Sequence, residues 1–173
     1  MKARTMLQGQ PIIYSGEYFH SIDEKGRITL PGSLRDNVSR SVVDNVLYAV
    51  QIPGTTCITL YCQEKWQEIA DKWSRPENFR STPEFMENQR LLFASMEKLG
   101  VDKSGRVLLP QNLRDRLKLT KNVAILGAYD KIEVWEEDQY RVYLEAAALR
   151  QQARIEQILM EGESPDRPRF PEW

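Results

Sequence analysis

Residues 22–36 read IDEKGRITLPGSLRD and residues 101–115 read VDKSGRVLLPQNLRD, the same pattern displaced by 79 positions, with eight of fifteen residues identical. Two copies of one supersecondary unit must be explained together, so this repeat decides the fold. In each copy short apolar stretches flank a turn rich in Asp, Lys and Gly. Residues 16–22 and 28–30 are predicted to be the two strands of a hairpin in the first copy. Gly26 and Gly105 occupy the loop position that calls for a positive φ. Asp23 and Asp102 are placed to accept hydrogen bonds from loop amides in an Asx turn. Arg27 and Arg106 follow those aspartates by four residues, on the returning strand, where a carboxylate can hold the guanidinium fork.

Outward from the loops, Leu30-Pro31 and Leu109-Pro110 open short helices predicted over 31–38 and 110–117, since the missing N–H of proline costs nothing in a first turn. Leu34 and Leu113 turn inward there, with Arg35 and Arg114 beside them at the surface. Two more strands fit 46–51 and 56–61 around Pro53 and Gly54, and their counterparts fit 123–127 and 131–135 around Tyr129 and Asp130. At an offset of 74, Ile58, Leu60, Tyr61, Glu64 and Trp66 align with Ile132, Val134, Trp135, Asp138 and Tyr140, so the second copy is five residues shorter between its halves. Helical spacing of Trp66, Ile69, Ala70 and Trp73 predicts a helix over 63–73, and similar spacing predicts helices over 83–94 and 138–160.

The chain is thus expected to be α+β, built as an N-terminal extension (1–13), a first repeat with its helix (14–74), a linker and helix (75–94), a second repeat with its C-terminal helix (95–160) and a tail (161–173). Pro165, Pro168 and Pro171 make disorder the expectation for that tail.

Composition narrows the function. With 41% hydrophobic and 28% charged residues the chain belongs with ordinary globular proteins, and 173 residues suffice for a real core. Cys57 and Cys62 lie five apart on a predicted strand and face opposite ways, which argues against a local disulfide. His20 is the only histidine, so neither a metal site nor any other cofactor is expected. There is no Gly-rich phosphate loop before a helix and no Ser-His-Asp set, so no enzyme and no catalytic residue is expected. Residues 1–10 lack an apolar signal region and no stretch reaches the roughly eighteen apolar residues of a membrane span, which makes the cytoplasm the expected location. Net charge is −1, but it is unevenly spread: 120–173 carry seven basic and eleven acidic groups, while 101–119 carry Lys103, Arg106, Arg114, Arg116 and Lys118 against Asp102 and Asp115. A basic face on a neutral molecule is therefore compatible with a nucleic-acid partner.

DEKGR and DKSGR, each followed by a strand, Leu-Pro and a short helix ending in Leu-Arg-Asp, resemble the paired D-x-x-x-R motifs of the MraZ family over residues 14–145. The resemblance implies an AbrB-like fold in which two hairpin repeats form an intramolecular pseudo-dimeric β-barrel. It implies ring-shaped homo-oligomers that bind double-stranded DNA at short direct repeats in the promoter of the division and cell wall gene cluster, as a repressor associated with the nucleoid. Residues 1–13 and the tail after 161 have no counterpart in that pattern.

Carried onto this sequence, the reading loops hold Lys25 and Arg27 in the first copy and Lys103 and Arg106 in the second, while Asp23, Gly26, Asp102 and Gly105 shape the loops and orient the arginines. In an isolated hairpin, an Asp and an Arg four apart form a local ion pair worth roughly 0–1 kcal/mol and nothing more. Duplication of the pair together with the family resemblance favours the DNA-reading role for the first copy, and leaves an architectural role open for the second. Avidity from several subunits on several repeats offsets the weak net charge. Trp66, Trp73 and Trp135 are expected in core or subunit contacts. The rival class is an AbrB-like antitoxin or an oligomeric scaffold without promoter-specific binding.

Overall fold

A computed structural model describes residues 6–7, 10–11, 13–41, 45–74 and 82–161; the expected tail beyond 161 and most of the linker lie outside the described residues. The strands are β1 (Met6–Leu7), β2 (Gln10–Pro11), β3 (Glu17–Ser21), β4 (Arg27–Thr29), β5 (Val46–Val50), β6 (Cys57–Tyr61), β7 (Glu97–Gly100), β8 (Arg106–Leu108), β9 (Asn122–Gly127) and β10 (Ile132–Glu136). The helices are α1 (Gly32–Ser41), α2 (Gln63–Ser74), α3 (Pro83–Ala94), α4 (Gln111–Arg116) and α5 (Glu137–Glu161). Among the described residues no helix is long and apolar enough to cross a membrane.

Strand pairing departs from the sequence expectation. Across each Asp-to-Arg turn the pairing stops at the closing hydrogen bond, from the Asp23 amide to the Arg27 carbonyl at 2.8 Å and from the Asp102 amide to the Arg106 carbonyl at 3.0 Å, with one further bridge between Val101 and Val107. No ladder runs from β3 to β4 or from β7 to β8. β3 pairs with β9 of the second repeat and β5 pairs with β7, so the two copies exchange strands in both directions. β4 pairs with β8 and β6 pairs with β10, again across the repeats. The result is one antiparallel six-stranded sheet, ordered β3-β9-β10-β6-β5-β7, and a separate two-stranded ribbon, β4-β8. No closed ring of strands forms among the described residues, which corrects the expected barrel: the three-residue β4 and β8 leave the large sheet to pair with each other, and β3 and β7 remain its edges.

The registers reveal an internal two-fold. Arg27, Ile28 and Thr29 face Leu108, Val107 and Arg106, so Ile28 meets its own repeat equivalent. Tyr18 pairs with Ile125, and Glu97 with Ala49, as the same operation requires. The Ile22 amide donates to the Lys121 carbonyl and the Val101 amide to that of Asn45, both at 2.7 Å.

Alternation then distributes the core. One face of the large sheet contributes Leu47, Ala49, Ile58, Leu60, Val123, Ile125, Ile132 and Val134, and the inner face of the ribbon adds Ile28 and Val107, both fully buried. Leu34 of α1 and Leu113 of α4 seal this layer. On the opposite face of β5 and β6, Tyr48, Val50 and Tyr61 pack with Trp66 of α2 and Leu92 of α3. Every residue of β6 is consequently buried. Trp66 lies 5.5 Å from Phe93 and 6.0 Å from Tyr48 between ring centres, and Trp73 stacks on Phe85 at 4.8 Å, so these tryptophans pack rather than present open faces. Cys57 and Cys62 are buried and unbonded to each other. Burial pushes the Cys57 thiol up to about 11 and the Tyr61 phenol up to about 12. From Asp138 the chain forms a separate unit, whose α5 is a 25-residue helix with Val142, Leu144, Leu149 and Ile155 exposed.

Candidate nucleic-acid interface

Each Asp-to-Arg loop is built by its own aspartate. Asp23 divides its oxygens: Oδ1 accepts the Lys25 and Arg27 amides at 2.9 Å each, and Oδ2 accepts Arg27 Nε at 2.8 Å with Nη2 at 2.7 Å. Asp102 repeats the arrangement, with the Ser104 amide at 2.8 Å, the Arg106 amide at 2.9 Å and Arg106 Nε at 2.7 Å. The loops close through the Gly26 amide onto the Asp23 carbonyl and the Gly105 amide onto that of Asp102, both at 2.8 Å. Gly26 has φ +80° and Gly105 φ +75°, a region that side chains disfavour. The guanidinium and the amides hold the Asp23 carboxyl down at about 2, and the amide and guanidinium of Arg106 lower that of Asp102. Both stay ionised at neutral pH, and each arginine keeps donors its aspartate does not use.

The loops are also completed from the other repeat. The Leu109 amide donates to the Gly26 carbonyl at 3.0 Å, and the Leu30 amide to that of Gly105 at 2.9 Å. Over the same glycines lie the side chains of Arg114 and Arg35: a Cβ built on Gly26 would stand 2.8 Å from the Arg114 guanidinium, and one on Gly105 would strike the Arg35 stem. Arg114 is steadied by the Leu109 carbonyl at 3.1 Å and by Gln111 Oε1. The sequence places Arg35 and Arg114 at the surface beside Leu34 and Leu113 and does not show that each covers a loop of the other repeat. Their identity in both copies was the signal that they share a task with the glycines.

Arg27 and Arg106 lie on the outer face of the ribbon with Thr29 and Leu108, while Ile28 and Val107 fill the inner face. Lys25 and Lys103 are exposed in the flanking loops. All four basic residues expected to contact DNA therefore belong to one ribbon and its two loops, and the second loop is built as carefully as the first. Among the described residues, no group of three or more His, Cys, Asp and Glu side chains is placed to hold a metal ion.

Comparison with known proteins matches both repeats. The family profile described as "MraZ protein, putative antitoxin-like" matches residues 13–87 and 92–160, one segment per repeat. Relatives that carry the name Transcriptional regulator MraZ include the following three. The protein from Marinomonas sp. (strain MWYL1) is 35% identical over 133 residues, 77% of this chain and 86% of its own length. That from Heliobacterium modesticaldum is 32% identical over 136 residues, 79% of this chain and 90% of its own. That from Acetivibrio thermocellus is 31% identical over 156 residues, 87% of this chain and 99% of its own. With both repeats matched and most of each relative's length spanned, the chain belongs to the MraZ family.

Proposed function

We propose that the protein is a sequence-specific DNA-binding transcriptional regulator that reads promoter direct repeats with the β4-β8 ribbon and its two loops. The observation that carries this reading is the pair of aspartate-held arginines, Arg27 and Arg106, on one outer face of a two-stranded ribbon. A major groove about 12 Å wide admits such a ribbon, and an arginine there can hold O6 and N7 of guanine with two hydrogen bonds. Lys25 and Lys103 supply phosphate contacts. Asp23 and Asp102 hold the arginines in one rotamer, which lowers the entropy lost on binding.

On this reading the regulator acts in the cytoplasm, at the nucleoid, as a repressor of the division and cell wall gene cluster. Homo-oligomeric rings place several ribbons on several repeats, and the exposed Val142 and Leu149, seven apart on one face of α5, support burial against a second copy.

The test is binding to the promoter DNA upstream of the protein's own coding sequence, at several salt concentrations, against a shuffled duplex. Wild type is expected to saturate the native duplex and discriminate against the shuffled one. Arg27→Ala should lose about 1–3 kcal/mol per contact, and more where several subunits bind together. Arg27→Ala binding with unchanged selectivity would remove the assignment, and equal binding to both duplexes would favour a scaffold.

A further inference from the structure

The outer face of the ribbon is a panel of four side chains. Arg27 stands directly opposite Leu108, and Thr29 directly opposite Arg106. Under the internal two-fold the arginines are equivalent to each other, and so are Leu108 and Thr29. Chemistry breaks that equivalence: one row is arginine with leucine, the other arginine with threonine. Leu108 is 54% exposed and belongs to neither core cluster, whereas Val107 beside it is fully buried. The equivalent position tolerates a threonine, so the fold itself does not require an apolar residue there.

We propose that Leu108 is a specificity-determining residue that packs on the C5-methyl group of a thymine next to the guanine held by Arg27. This rests on the DNA-reading role of the ribbon and adds to it a second base contact and a direction. In the major groove the thymine methyl is the apolar group that base edges offer. Cross-strand neighbours have Cβ atoms about 5 Å apart, so Leu108 and Arg27 address the same or adjacent base pairs. At the other end Thr29 is shorter than leucine and carries a hydroxyl, which serves any base, beside its single methyl group, so that end discriminates less. A chain with two nearly identical loops thereby reads a site that is not palindromic, and each subunit sits on its repeat in one orientation.

The test uses the promoter duplex from upstream of the protein's own coding sequence, with each thymine in turn replaced by deoxyuridine, which removes the methyl and leaves every hydrogen bond. For wild type, affinity should fall about fourfold at one thymine per repeat, the loss of one buried methyl-sized group. Leu108→Ala should bind the thymine and deoxyuridine duplexes equally while still depending on Arg27. Leu108→Ser, which puts a hydroxyl and no methyl group at the same position, should lose the methyl preference in the same way. Three results would overturn the proposal: no thymine at which the wild type is sensitive, a thymine preference undiminished in Leu108→Ala, or a Leu108→Ala effect confined to assembly size in sedimentation. Wild type that binds through Arg27 without methyl sensitivity refutes the Leu108 contact alone. Wild type that does not bind the promoter refutes the DNA reading and this contact with it.

Discussion

Alanine at Gly26, compared with alanine at Gly54, separates the backbone cost of the loop from its function. Both glycines have nearly the same positive φ, +80° and +82°. A side chain in that region costs about 1–2 kcal/mol, so each variant should lose that much stability, a shift of about 2–4 °C in Tm per kcal/mol for a domain of this size. Their surroundings differ. A Cβ at Gly54 meets nothing within 4 Å, whereas a Cβ at Gly26 would lie 2.8 Å from Cζ and Nη2 of Arg114. Ordinary contact begins near 3.4 Å, so the guanidinium must retreat by about half an ångström or more, taking with it the cover over the loop that carries Lys25 and Arg27. As the tip of a flexible side chain it moves at small cost in stability. Urea unfolding should therefore place the two variants within about 0.5 kcal/mol of each other, as expected when distant sites differ little in their neighbours. Promoter binding, read by fluorescence anisotropy, should fall about tenfold or more for Gly26→Ala, the equivalent of 1.4 kcal/mol and within the worth of one arginine–guanine contact. Gly54→Ala should bind within about twofold of wild type, because it sits in the β5–β6 turn, outside the ribbon. Equal effects of the two variants on binding would refute the coupling between loop conformation and DNA reading.

Two further outcomes follow from the core. Cys57 and Tyr61 titrate near 11 and 12 in the folded protein, above their ordinary values, so the folded state holds more protons than the unfolded one above pH 9. Stability should thus fall as pH rises from about 9 towards 12, seen as a declining urea midpoint, and a flat midpoint over that range would contradict the burial of these groups. Trp66→Ala should cost about 3–5 kcal/mol in urea unfolding, because the 6% exposed indole joins Tyr48, Tyr61 and Phe93; a loss below 1 kcal/mol would show that α2 is not essential to that layer.

The loops were legible in the sequence because their chemistry is local. An aspartate, a glycine and an arginine at fixed spacing specify an Asx turn, a positive φ and a held guanidinium, and all three are present in both copies. Strand pairing was not legible. Ile28 flanked by Arg27 and Thr29 shows the same alternation whether its partner is β3 or β8, since periodicity reports which face is buried and says nothing of the neighbour. The cross-repeat cover supplied by Arg35 and Arg114 was hidden for the same reason, because it exists only once each loop lies against the other repeat. The sequence expects Pro110 in the first turn of its helix, whereas in the structure it occupies the position just before α4, which begins at Gln111.

The exchanged strands set the order in which the molecule can be made. Glu17 finds its partner in Leu126, a separation of 109 residues (126 minus 17), and β4 waits for β8. At a synthesis rate of about 5–20 residues per second, the first repeat emerges several seconds before the strands that complete it. During that interval β3 has neither edge paired and Ile28 lacks the Val107 side of its ribbon. Two nascent chains held near one another could then trade first and second repeats, pairing β3 of one with β9 of the other in the same register. The fusion of both halves in one chain keeps the proper partner at high local concentration, and the short β4 and β8, with only three residues each, give a wrong partner little to hold.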